Sequence, residues 1–149
     1  MNCIKIYKLH KIYIIGQSFK PMSYKSAVDL TQKLVSVNSV SAVGNMGVAQ
    51  VLIPYLEDSG FHVECIQRDH TNVNLIARLG GQAARYDGLA FVGHLDTVPY
   101  KSERKKWNYH PLGGFKEDGK IWGVGTTDMK GPIAAAIFAM PARIKLETI

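Results

Sequence analysis

Apolar positions recur at helical spacing early in the chain. In "SYKSAVDLTQKLVSVNSVS", Ala27, Leu30, Leu34 and Val37 fall on one stripe. Ser23 stands ahead of it as an N-cap candidate, and the loop "NSVSAVGNMG" provides the exit near Asn38. A second stripe, Val51, Leu52, Tyr55 and Leu56, predicts a helix around Val48 to Asp58. Pro54 lies inside that helix and predicts a kink or a late start, because proline removes a backbone donor and crowds the preceding turn. Gly60 is placed to close it from the C′ position.

The period then changes from helical to alternating. "FHVECIQR" puts Phe61, Val63 and Cys65 on one side, and "NVNLIARLG" puts Val73, Leu75 and Ala77 inward. "LAFVG" is a short unbroken apolar run, the pattern of a central strand covered on both faces. "KEDGKIWG" contains Asp118–Gly119, a hairpin signal between two short strands. "GPIAAAIFAM" reads as a helix entered through Pro132 and ended before Pro141. The order helix, helix, strand, strand, strand, hairpin, helix defines the α/β class, with helices packed on a mixed sheet. No further strand follows, so that sheet looks unfinished.

Composition fits this picture. The chain has 149 residues, 46% hydrophobic and 20% charged, enough for one globular domain with a real core. The net charge of +6 is unevenly placed. Residues 1–21 contain Lys5, Lys8, Lys11 and Lys20 and no acid, and "KSERKK" at 101–106 is a second basic cluster, read as a solvated loop. The rest is slightly acidic, which argues against a nucleic-acid partner. The longest uncharged apolar run near the N-terminus, "IYII", is shorter than the roughly 7–15 residues of a signal-peptide core. No stretch reaches the ~18 apolar residues of a membrane span. The expectation is a cytoplasmic protein with no membrane partner. Residues 1–21 are read as an extension ahead of Met22, 22–140 as the folded unit, and 141–149 as an aberrant or truncated tail. Cys3 and Cys65 form no CxxC pair and suggest a reducing compartment without a disulfide framework; Cys65 is expected to act as a small buried hydrophobe.

Two stretches carry candidate chemistry. In "FVGHLDTVPY", His94 and Asp96 are two apart on an extended segment and so share a face. At the carboxyl end of a strand, where α/β sheets bind ligands, they could supply a metal-ligating imidazole and a carboxylate that orients it. A lone His-x-Asp is more often satisfied by ordinary hydrogen bonds. In "WGVGTTDMKGP", Asp128 follows Gly123 and Gly125, which permit close backbone approach. Its ordinary reading is an N-cap for the helix that follows. His10, His62, His70 and His110 belong to no motif and are read as surface or structural.

Together "GHLDTVP" and "WGVGTTDMKG", with "EDGKIWG" between them, resemble the M20 family of zinc-dependent peptidases and deacylases. The family's patterns are G-H-x-D-x-V-P and, some thirty residues on, G-x-G-x-x-D-M-K-G. The resemblance runs from Ser23 to about Met140. Val124, where many members carry arginine, and Trp107 look most like the acetylornithine deacetylase branch; "HPLGGF" departs from the commoner D-P-F.

The resemblance implies a truncated zinc-exopeptidase-like catalytic domain. It implies His94 as ligand of one metal, Asp128 as a bridge between two metals, and Asp96 as the catalytic-site acid supporting them. Two zinc ions are implied for the complete enzyme, with cobalt a possible substitute. The peptide bond after Asp128 is implied to be cis in the complete, metal-bound enzyme, and free to relax to trans here. The reaction implied is hydrolysis of the amide of an N-acyl amino acid, N-acetylornithine first among them, by a homodimer. A glutamate from an E-E pair serves as general base. This sequence holds no E-E pair, and Glu147 stands alone. The expectation is therefore an inactive N-terminal fragment of a hydrolase. Succinyl-diaminopimelate desuccinylase, a dipeptidase, and a non-catalytic binding module on the same scaffold remain the alternatives.

Overall fold

A computed structural model describes residues 25–79, 89–102 and 104–140. Ser23, the 1–21 extension and the 141–149 tail lie outside the described residues.

Helix α1 spans Ala27–Ser36. Its N-cap is Ser26, not Ser23: the Ser26 hydroxyl accepts the Asp29 amide at 3.2 Å. The helix closes at Val37, whose N–H donates to the Leu34 carbonyl at 3.2 Å. Leu30 and Leu34 are fully buried on its inner stripe, each worth about 1.5–3 kcal/mol of transfer free energy.

Helix α2 spans Met46–Asp58, starts two residues before the predicted point, and contains Pro54. It ends in a Schellman motif: the Phe61 amide reaches the Leu56 carbonyl at 3.0 Å and the Gly60 amide reaches Glu57 at 3.0 Å. Gly60 adopts φ +88° as the motif requires, and Leu56 and Phe61 are both buried beside it. Strands β1 (His62–Gln67) and β2 (Val73–Arg78) form an antiparallel hairpin with His62 opposite Arg78 and Gln67 opposite Val73. Phe61 and Val63 are buried and Cys65 packs against the same core, as the alternation predicts. Val73 and Leu75 do likewise, but Ala77 is exposed, although Leu79 beyond it packs on the core again. The turn is held by Asp69, whose carboxylate accepts the Thr71 and Asn72 amides at 2.8 Å each. Asn45, ahead of α2, docks the hairpin: its side chain accepts from the Val73 amide at 2.9 Å and donates to the Val73 carbonyl at 3.0 Å.

Strands β3 (Phe115–Glu117) and β4 (Lys120–Trp122) form the second hairpin. Asp118 (φ +49°) and Gly119 (φ +73°) make the two-residue turn that Asp-Gly predicts. Helix α3 spans Gly131–Ala139 with proline in its first turn. The core joins α1, α2, α3 and one face of β1–β2 through Leu30, Leu52, Val63, Ala134 and Ile137.

The α/β class holds, yet the described strands form two separate antiparallel pairs. The expected central strand at "LAFVG" is corrected. Residues 89–94 form no strand, and Leu89 and Val92 are 83% and 90% exposed. A strand needs neighbours to satisfy its amides and carbonyls; among the described residues the pairing here is one parallel bridge, Val40 to Thr97. Cys65 is disulfide-bonded, which corrects the expectation of a chain without a disulfide. No described helix is long and apolar enough to cross a membrane.

Candidate metal centre

Two loops meet beside α1 and α3. The first, residues 94–97, leaves the apolar run. Its anchor is the 38–41 loop: Thr97 N–H donates to the Ser39 carbonyl at 2.9 Å and Ser41 N–H to the Thr97 carbonyl at 3.3 Å. The second, residues 123–130, turns from β4 into α3. Gly125 adopts φ +80°, and a Cβ there would lie 2.7 Å from the Thr97 methyl, so only glycine lets the two loops touch. The turn is pinned by Lys130 N–H to the Gly125 carbonyl at 2.8 Å. The Asp128–Met129 peptide bond is cis.

This meeting brings the three predicted residues together. The His94 ring lies between two carboxylates: its Nε2 is 2.9 Å from Asp128 Oδ1, and its Nδ1 is 3.2 Å from Asp96 Oδ1. Nδ1 is also 3.1 Å from the Asp96 carbonyl. The Asp128 bond, chiefly, raises the His94 pKa above its ordinary value, against a smaller opposing effect of burial. Asp96 is shifted down, above all by the Ser41 hydroxyl, which donates to its Oδ2 at 2.7 Å. The His94 amide donates to the Met129 sulfur at 3.3 Å, and a Cβ on Gly93 beneath would fall 2.7 Å from the Met129 methyl. His94, Asp96 and Asp128 line a cleft of about 710 Å³ walled by Trp107, Ile121 and Trp122.

An imidazole nitrogen and a carboxylate oxygen, converging on one cleft with the second ring nitrogen tied to another carboxylate, are a donor set that suits a divalent metal. The set is partial. Among the described residues, no three His, Cys, Asp or Glu side chains are grouped to hold an ion. No local pattern marks Ser41 or the Met129 contact. Both depend on where the 38–41 and 126–130 loops run in space.

His94, Asp96 and Asp128 thus meet at one cleft beside the glycine-hinged turn, and comparison with known proteins gives this part of the chain a family. Residues 90–147 match the model of peptidase family M20/M25/M40. The chain carries a segment of that family. It is 35% identical over 125 residues to acetylornithine deacetylase of Aliivibrio fischeri strain MJ11, covering 80% of this chain and 32% of that protein. It is 36% identical over 115 residues to the Aliivibrio salmonicida strain LFI1238 acetylornithine deacetylase, covering 73% and 29%. It is 34% identical over 122 residues to succinyl-diaminopimelate desuccinylase of Buchnera aphidicola subsp. Cinara cedri, covering 82% and 31%. The chain thus spans about a third of the length of these relatives.

Proposed function

We propose that this chain supplies part of the metal cleft of an amide hydrolase acting on an N-acyl amino acid, with N-acetylornithine, an intermediate of arginine biosynthesis, as the leading substrate. The observation that carries the reading is the convergence of His94 Nε2 and Asp128 Oδ1, 2.9 Å apart, at the mouth of the cleft. His94 would hold the metal through Nε2 and Asp128 through its carboxylate; zinc fits this donor chemistry and cobalt could replace it. A bound metal would supply Lewis acidity toward the acyl carbonyl and toward water.

The chain's own residues do the rest of what is visible. Asp96 holds the His94 ring by Nδ1, leaving Nε2 facing the cleft. Trp107 and Trp122 give the cleft an apolar wall against which an acyl group would pack. The chain has no E-E pair to supply a general base, so we assign it the binding half of the chemistry. Val124, buried beneath the turn, takes the place of the arginine common in the family and favours the deacetylase reading. The Buchnera relative supports the desuccinylase as second reading.

A chimera tests this. Residues 25–140 would replace the aligned segment of the A. fischeri acetylornithine deacetylase. Hydrolysis of N-acetylornithine that disappears in the H94A chimera supports the proposal. Activity confined to N-succinyl-diaminopimelate selects the second reading. A folded chimera inert toward both rejects the assignment.

A further inference from the structure

We propose that Ser41 is a positioning residue of this cleft: its hydroxyl fixes the rotation of the Asp96 carboxylate and, through it, the orientation of the His94 ring. The inference rests on the metal-cleft reading for its consequence, but its geometry stands apart from it. Ser41 lies outside the 90–147 stretch matched by the family model.

Four groups follow one another in space. Ser41 Oγ donates to Asp96 Oδ2 at 2.7 Å, Asp96 Oδ1 faces His94 Nδ1 at 3.2 Å, and His94 Nε2 faces Asp128 Oδ1 at 2.9 Å. The carboxylate's terminal torsion is intrinsically broad. Its side chain is 43% exposed, so water competes for both oxygens. A hydroxyl bound to one oxygen, in a short charge-assisted bond, leaves the other aimed at the imidazole.

A rival position exists for a freed carboxylate. Ser41 and Asp96 form a wall shared by the main cleft and a smaller polar cavity of about 240 Å³, which Arg68, Asn45 and Asn72 also line. Without the Ser41 bond, the carboxylate can turn toward the Arg68 side, leaving His94 Nδ1 with the Asp96 main-chain carbonyl at 3.1 Å as its remaining partner on that residue.

The side chain's role is separable from that of the loop. The 38–41 loop is attached to residue 97 by main-chain bonds, Ser41 N–H to the Thr97 carbonyl and Thr97 N–H to the Ser39 carbonyl. Removing the hydroxyl leaves those bonds in place, and the exposed Ser41 side chain vacates no core.

The experiment has two arms, using the full chain as wild type, S41A, S41T, D96A and S41A/D96A. In the metal-free arm, nitrogen-15 histidine spectra follow the His94 Nδ1–H proton. It is expected to be well protected and downfield in wild type and S41T, and to exchange faster and move upfield in S41A and D96A, where the Asp96 main-chain carbonyl alone holds it. Unchanged protection and shift in S41A, or an equal change in S41T, overturns the proposal. In the second arm, cobalt(II) is titrated alone. D96A is expected to weaken binding by the ~10–100-fold typical of an outer partner, S41A by a smaller factor, and S41A/D96A no more than D96A. Multiplying effects of S41A and D96A would overturn action through Asp96. A wild-type chain that binds no cobalt would reject the metal reading, while the first arm still decides the role of Ser41.

Discussion

Lys130 is fully buried, and its ammonium donates to the carbonyl of Val37 at 2.8 Å. That carbonyl caps α1, where the helix leaves its last carbonyls unpaired and presents partial negative charge. The bond ties the turn that carries Asp128 to the end of the first helix. Burial pulls the Lys130 pKa down to about 8 from 10.5.

The sign of the resulting pH dependence follows from proton counts. Between about 8 and 10.5 the unfolded chain binds the Lys130 proton and the folded chain does not. Stability therefore rises with pH across that window. Below it both states are charged and the full burial cost is present; above it neither is. Urea unfolding at pH 8 and pH 10.5 should show a gain of order 1–3 kcal/mol in the wild type relative to K130M. Equal pH slopes in the two proteins would remove Lys130 as the source.

Metal binding by the chain should be weak. His94 and Asp128 offer two donors, half of a four-coordinate site, so a zinc dissociation constant of ~1 µM or above is expected. H94A should abolish it. Calorimetry giving nanomolar affinity would mean that further ligands exist in the chain.

Catalysis by the isolated chain is expected to be absent. With no E-E pair in the sequence, N-acetylornithine should not be hydrolysed above background with zinc or cobalt added. Turnover that is lost in D96A, followed by ornithine release, would contradict this.

Two glycine substitutions separate torsion from contact. Gly119 has φ +73° and open space around a built Cβ, so G119A should cost about 1 kcal/mol, the torsional penalty alone. Gly125 has φ +80° and a Cβ there would sit 2.7 Å from the Thr97 methyl. G125A should therefore destabilise by at least about 1 kcal/mol more than G119A. Denaturant midpoints at equal slopes provide the comparison.

Local signals were legible and long-range ones were not. The α2 end was readable because Gly60 supplies the positive φ that a Schellman closure needs. Asp118–Gly119 was readable because few residues tolerate its turn. Period two put His94 and Asp96 on one face, and the structure brings them to 3.2 Å even though the segment pairs as no strand. Their approach to Asp128 came from motif resemblance, since 34 residues separate His94 from Asp128. Ser41 escaped notice because its position depends on the Val40–Thr97 bridge, a pairing without local pattern. "LAFVG" misled for a related reason. An apolar run states that burial would be favourable, but not which segment provides it.

That run sets how the molecule behaves in company. Leu89, Phe91 and Val92 stand open, with Val98 nearby at 70% exposure. No lysine or arginine lies between Arg85 and Lys101 to act as a gatekeeper, although the chain as a whole is basic. Colloidal stability is thus decoupled from folding stability. Tightening the core would leave this edge as adhesive as before, whereas a single lysine at position 92 should raise the concentration at which the chain self-associates without moving its melting temperature.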